Sequence, residues 1–175
     1  MTIKSLSTKA HRRIKRIAIL TALASLPFAA QPFEDFRQSH AFLLNASPSL
    51  PNWAFWLDKH MPIKRGGLIF FEPRPSTILS AQFGSSPQLF GKYELGMPGD
   101  IVTHKGKDVL INGKFVARTK SETRLGLKLT KGPAGAIPDG CYYAGSAHKD
   151  GFDSRYADIG FVCGAQILGS GRAIL

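Results

Sequence analysis

Val109-Leu-Ile-Asn-Gly-Lys-Phe-Val-Ala117 is two short apolar runs separated by Asn112-Gly113. A two-residue hairpin turn of type I′ needs positive φ at both central positions, which Asn-Gly meets, so the stretch predicts a tight β-hairpin. Working outward, Ile101-Val-Thr-His104 reads as a strand, and Lys105-Gly106-Lys107-Asp108 turns it towards the hairpin. Gly67-Leu-Ile-Phe-Phe71 is a short buried strand closed by Glu72-Pro73-Arg74-Pro75, and His40-Ala-Phe-Leu-Leu-Asn45 is an apolar strand before it. A short helix is expected around Thr77 to Phe83. Arg118 to Pro133 is polar and contains glycine; Ile137 to Ala144 opens the last structured region, which Phe161-Val-Cys163 and Ala165-Gln-Ile-Leu168 close. Eighteen glycines and eleven prolines cut the 175 residues into short elements, and no repeat, heptad or long amphipathic helix is present. The fold class expected is mainly β, a β-rich domain of short strands.

The formal net charge is +11, and the basic residues are unevenly spread. Lys4, Lys9, Arg12, Arg13, Lys15 and Arg16 precede the first acids, Glu34 and Asp35. Such a cluster alone reads as a nucleic-acid arm. Here an uncharged run, Ile17 to Ala30, follows at once. Positive residues before a short apolar run are the pattern of a membrane-targeting segment whose N-terminus stays inside the cell. The run is shorter than the roughly 20 apolar residues of a spanning helix. A cleaved signal peptide, with Ala22-Leu23-Ala24 as a weak cleavage pattern, and a retained signal-anchor both fit it. The expected organisation is therefore a basic N-terminus with one hydrophobic helix over residues 1–33, then an exported domain over 34–175. No nucleic-acid partner is expected.

Cys141 and Cys163 fit export, because an oxidising compartment permits a disulfide across 22 residues; two buried thiols are the alternative. No second cysteine pair or histidine cluster accompanies them, so neither a metal site nor a cofactor is expected. Trp53, Phe55, Trp56 and Leu57 read as core, with contact to a membrane interface as the other reading.

Asn45-Ala-Ser-Pro-Ser-Leu-Pro51 carries two serines one residue apart. Pro48 and Pro51 push the preceding residues towards extended geometry, in which alternate side chains share a face. Ser47 and Ser49 would then point the same way, as a nucleophile and a neighbouring hydrogen-bond donor, although an ordinary surface turn has the same composition. Lys92 lies among Leu89, Phe90, Tyr93 and Leu95, just before the rigid turn Gly96-Met97-Pro98-Gly99-Asp100. A lysine can act as general base near neutral pH only if burial lowers its pKa from about 10.4. Serine with such a lysine is an established alternative to a serine–histidine–aspartate triad.

Ser-x-Pro, then Lys92 to Asp100, then the Asn-Gly hairpin, then Ile137-Pro-Asp-Gly-Cys-Tyr-Tyr143 and Asp153-Ser154-Arg155-Tyr156 occur in this order. The chain thereby resembles the type I signal peptidase family over most of residues 40 to 168. The tight serine block and the lack of a large inserted domain are similar to the TraF-type conjugative-transfer branch. The resemblance implies a serine/lysine dyad in a β-rich domain outside the membrane, with Ser49 as nucleophile and Lys92 as general base. Ser47 and the Ser49 amide would form the oxyanion hole, with Asp153 and Arg155 as a supporting charge pair. It implies a monomeric, inner-membrane-associated or periplasmic serine endopeptidase working on the periplasmic face. Its expected partners are the membrane and an extended precursor polypeptide, a conjugative pilin that is cleaved or cyclised. Two departures stand out: Gly145-Ser146-Ala147 replaces Gly-Asp-Asn, and Gly151 stands where housekeeping members carry a lysine-orienting serine, leaving Ser146 and Ser154 as substitutes. Trp53 stands where the TraF-type pattern tends to have glycine. The competing functional readings are a housekeeping leader peptidase, a non-catalytic periplasmic assembly protein, and a nucleic-acid binder suggested by charge alone.

Overall fold

The computed structural model describes residues 17, 19, 21, 34–84 and 89–174, so most of the expected N-terminal hydrophobic helix lies outside the described residues. The chain divides into two compact units, Met1–Ser39 and His40–Leu175. In the first, residues 34–39 are helical. No helix among the described residues is long and apolar enough to cross a membrane.

The second unit is built from two antiparallel sheets, as the short-strand pattern anticipates. The larger sheet has the order β1 (His40–Leu44), β2 (Ala54–Asp58), β11 (Ile167–Ala173), β3 (Leu68–Phe71), β4 (Phe90–Gly96), β9 (Cys141–Gly145), β10 (Val162–Cys163). The smaller has the order β7 (Lys114–Arg118), β6 (Asp108–Ile111), β5 (Ile101–Lys105), β8 (Gly135–Ala136). The Asn-Gly hairpin is β6–β7, and Asn112 and Gly113 take φ of 50° and 77°, the signs a tight hairpin turn demands. Helix α1 (Thr77–Phe83) starts where the Ser76 side chain accepts a hydrogen bond from the Leu79 N–H, an N-cap.

Three apolar clusters form the core. One joins Ile69, Phe71 and Phe90 to Phe152, Tyr156 and Ile159. A second fills the smaller sheet's inner face with Val102, Val109, Ile111, Ala117 and Tyr143. The third packs Leu50, Phe55, Leu57 and Phe70 behind the β1–β2 connection. The aromatic block after Pro51 is therefore split: Phe55 and Leu57 are buried, whereas Trp53 is 57% exposed. Strand alternation puts 55 and 57 on one face, and Trp53 belongs to the turn before β2. The two cysteines are bonded, joining β9 to β10 where Cys141 and Cys163 are cross-strand partners.

Candidate active site

The serine block connects β1 to β2, and it folds as a turn over residues 47–50 instead of the extended segment expected from its prolines. Asn45 explains the difference. Its Nδ2 donates to the carbonyls of Leu50 (3.0 Å) and Asn52 (2.7 Å), and its Oδ1 accepts from the Ser47 N–H (3.0 Å). One side chain thus holds both ends of the loop, while Leu50 is buried below it. The turn still brings the two hydroxyls together, with Ser47 Oγ and Ser49 Oγ 2.8 Å apart. The Ser49 N–H points at Ser47 Oγ over 3.5 Å. Neither the sequence pattern nor the proline geometry identified Asn45 as the organiser; its only signal was its place at the head of the loop.

Lys92 sits in the middle of β4, paired with Ile69 of β3, and is only 5% exposed. Its Nζ lies 5.7 Å from the centroid of the Phe90 ring. Burial pushes the Lys92 amine below its ordinary pKa; the Asp153 carboxylate opposes this and the Arg155 cation assists it. No ion pair to Lys92 is formed among the described residues. The far end of β4 is fixed by Asp100. Its carboxylate accepts from both Arg65 terminal nitrogens (2.6 and 3.1 Å), from Asn112 Nδ2 (2.7 Å) and from the Met97 N–H (2.8 Å). The Arg65 hydrogen bonds hold the Asp100 carboxyl below the usual carboxylate range. Asn112 also accepts from the Ile101 N–H (2.9 Å), so the hairpin tip and the turn after β4 lock one another. Glu94, two residues from Lys92 on the same buried side, was not singled out by sequence; burial pushes its carboxyl towards the neutral form.

Ser47, Ser49 and Lys92 line one cavity of about 730 Å³. Its floor is aromatic, with Phe83 of α1 against Phe90 (5.2 Å between centroids) and Phe152 stacked on Tyr156 (5.6 Å). The Ser49 hydroxyl is bonded to Ser47 and not to Lys92 in this arrangement. Its far wall is the segment after β7, which the sequence left as polar chain. A backbone bridge between Glu122 and Lys128 closes it into a small hairpin. Asp150 holds that hairpin through Lys120 and through Arg124 Nη2 (2.9 Å), and these bonds pull the Asp150 carboxyl to about 2.

Asp153 and Arg155 lie behind the lysine and are fully buried. Arg155 donates from Nε to Asp153 Oδ1 (2.8 Å) and from Nη2 to Asp153 Oδ2 (2.9 Å), a bidentate pair. Its remaining donors reach the carbonyls of Ser146 (2.7 Å), His148 (3.3 Å) and Arg118 (3.4 Å). Asp153 Oδ2 also accepts from the Ser146 N–H (3.1 Å) and hydroxyl (3.4 Å). Ser154 instead accepts from the Ala144 N–H (3.0 Å), tying this segment to β9. Of the two serines considered as lysine-orienting substitutes, neither hydroxyl bonds to Lys92; Ser146 joins the ion pair and Ser154 the sheet.

Gly151 has a steric reason. A Cβ there would stand 2.6 Å from Ser146 Oγ, 2.8 Å from Asp153 Oδ2 and 2.9 Å from Arg155 Nη2. The Ser146 hydroxyl thus occupies space that a side chain at 151 would need. Gly151→Ser is expected to destabilise the domain by about 1–3 kcal/mol through overpacking. Thermal unfolding of the single variant and of Gly151→Ser with Ser146→Gly checks this: the double variant should recover part of the loss, and equal stability of Gly151→Ser and the parent would contradict it.

The family model described as "Signal peptidase, peptidase S26" matches residues 11–175. No curated protein matches the chain significantly.

Proposed function

The chain belongs to the signal peptidase family, peptidase S26, and on that premise we propose that it is a Ser49/Lys92 endopeptidase that matures an exported precursor, a conjugative pilin, at the periplasmic face of the inner membrane. Membership gives serine peptidase activity of the kind that processes exported precursors. The observation that carries the Ser49/Lys92 reading is the convergence of a paired serine turn and a buried, pKa-lowered lysine on one aromatic-floored cavity.

In the proposed mechanism neutral Lys92 accepts the Ser49 proton as Ser49 Oγ attacks a carbonyl of the bound peptide. The Ser47 hydroxyl and Ser49 N–H donate to the oxyanion, and the carbon–nitrogen bond breaks as Lys92 returns the proton to the leaving amine. Water, or an amine in a cyclising reaction, then releases the acyl group from Ser49 while Lys92 again takes and returns a proton. Attack requires the Ser49 hydroxyl to turn from Ser47 to Lys92, which frees Ser47 to face the oxyanion. An extended substrate has room to pair beside the cavity. β1 is a sheet edge, and β9 pairs with β4 only from Tyr93 onward, so one side of Phe90–Lys92 carries no strand among the described residues.

The TraF-type assignment rests on the Asn45-to-Pro51 block and the absence of an inserted domain. Incubating the purified full chain with its candidate pilin precursor, and with a general secretory precursor, tests it by mass spectrometry. Cleavage of the pilin alone supports the conjugative reading. Cleavage of the general precursor replaces it with a housekeeping role. Cleavage of neither, with the fold intact, favours the non-catalytic assembly protein. Within this scheme Ser47→Ala should lower kcat by about 10²–10³, the cost of one oxyanion donor, with little change in KM; unchanged kcat would remove Ser47 from the oxyanion hole.

A further inference from the structure

Strand β7 is an edge of the smaller sheet: β6 pairs with it on one side, and no strand does on the other among the described residues. Just past its end the Thr119 N–H points inward to the Lys107 carbonyl (2.8 Å), so by the alternation of an antiparallel strand the backbone groups of Arg118 face outward. The Arg118 carbonyl does face that way, accepting from Arg155 Nη1 (3.4 Å). A second cavity, of about 600 Å³, follows this edge; every residue from Phe115 to Glu122 lines it, together with Ser146, Ala147 and Lys149. Its volume falls within the roughly 300–1,000 Å³ of ligand clefts. Five cationic side chains line it, those of Lys107, Arg118, Lys120, Lys149 and Arg155, against one acid, Glu122. Arg118, Lys120 and Arg155 are paired with Asp108, Asp150 and Asp153, but Lys107 and Lys149 form no ion pair among the described residues.

A free strand edge takes an extended chain through its backbone, and two unpaired ammonium groups beside it take carboxylates on that chain. Lysines on an edge discourage neutral or basic strands from adding, so they select an acidic one. Lys120 and Glu122 line this cavity and the serine–lysine cavity alike, so one polypeptide can occupy both. We propose that the groove along β7 binds an extended acidic segment of the precursor, away from its scissile bond, which adds to the edge of β7 and sets its carboxylates against Lys107 and Lys149. That this polypeptide is the substrate rests on the serine–lysine reading; the groove's preference for an extended acidic chain does not.

The probe is a fluorescein-labelled octapeptide of alternating glutamate and valine, titrated with the full chain in detergent and followed by anisotropy. The same peptide with N-methylated valines, which keeps the charge and loses backbone donors, should bind weaker by about ten-fold or more, as should a lysine–valine peptide. Lys107→Glu with Lys149→Glu should weaken the glutamate peptide by a similar factor and strengthen the lysine peptide, a reversal that a misfolded chain could not give. Equal affinity for the glutamate and lysine peptides overturns the proposal, and so does indifference to N-methylation. In a second arm the candidate pilin precursor should displace the labelled peptide from the Ser49→Ala chain, where no turnover is needed. A precursor that the parent processes but that leaves the peptide bound overturns the assignment of the groove to substrate. A parent chain that binds the peptide and processes nothing counts against the serine–lysine reading and leaves the groove's specificity standing.

Discussion

Lys92→Met is expected to abolish most precursor processing and at the same time to make the protein more stable. Removing a general base costs about 10²–10⁴ in rate. The stability change follows from the same burial. Lys92 is 5% exposed with a pKa lowered chiefly by desolvation. In the unfolded chain the amine titrates near 10.4, so the unfolded state binds more protons between the lowered folded pKa and about 10.4. The cost of burying Lys92 is therefore full below the folded pKa and disappears as pH rises through that window. Methionine fills the volume without the charge, and about 1 kcal/mol of stabilisation at neutral pH is the expected scale. Denaturant unfolding at two pH values checks the sign: the variant's advantage should shrink as pH rises towards 10. In the parent, kcat/KM should rise with pH through the folded Lys92 pKa, because only the neutral amine accepts the Ser49 proton. A structural lysine would give loss of stability on substitution and no such limb.

Arg155→Ala should be the most damaging change outside the serine–lysine pair, lowering stability by about 3–5 kcal/mol. The reason is what remains behind. Asp153 is fully buried and receives both guanidinium bonds, so removing the cation strands a carboxylate in a low-dielectric site. The carbonyls of Ser146, His148 and Arg118 lose their donor as well. For a domain of this size the Tm should fall by roughly 10–20 °C. Replacing the pair together, Asp153→Asn with Arg155→Met, should recover part of that loss while still impairing processing, since Asp153 and Arg155 both act on the Lys92 amine. A fall of less than about 1 kcal/mol for Arg155→Ala would mean the pair contributes little.

Legibility in the sequence tracked how ordinary each element's chemistry is. The Asn112-Gly113 hairpin and α1 were readable, because a turn dipeptide and a short capped helix follow local rules. Strand β4 was not read over its full length, Phe90–Gly96. Its buried positions are Phe90, Lys92, Glu94 and Gly96, and its less buried ones are Gly91, Tyr93 and Leu95, so the usual inside–outside alternation is inverted. That inversion places the Lys92 amine inside the domain, where the proposed base has to be. Strand β11 was missed beyond Leu168, because Gly169, Ser170, Gly171 and Arg172 carry weak strand preference, although the strand runs between β2 and β3. The serine turn was misjudged as extended because its shape is set by one side chain, Asn45, and not by the prolines. Ser49, Lys92, Asp153 and Arg155 were singled out only through the order of their blocks along the chain; the fold brings Ser49 and Lys92 to one cavity and pairs Asp153 with Arg155. The packing of Ser146 into the space above Gly151 depends on contacts that no spacing encodes.

The central claim is that Ser49 is the nucleophile, and its most direct test is processing of the pilin precursor in cells carrying the parent or Ser49→Ala at matched expression. Loss of the nucleophile should remove detectable processing, on the order of 10⁶ in kcat for a serine peptidase, while the protein accumulates to normal levels with an unchanged melting temperature. Full processing by Ser49→Ala would contradict the account and leave the Ser47–Ser49 turn as a structural feature of the cavity wall.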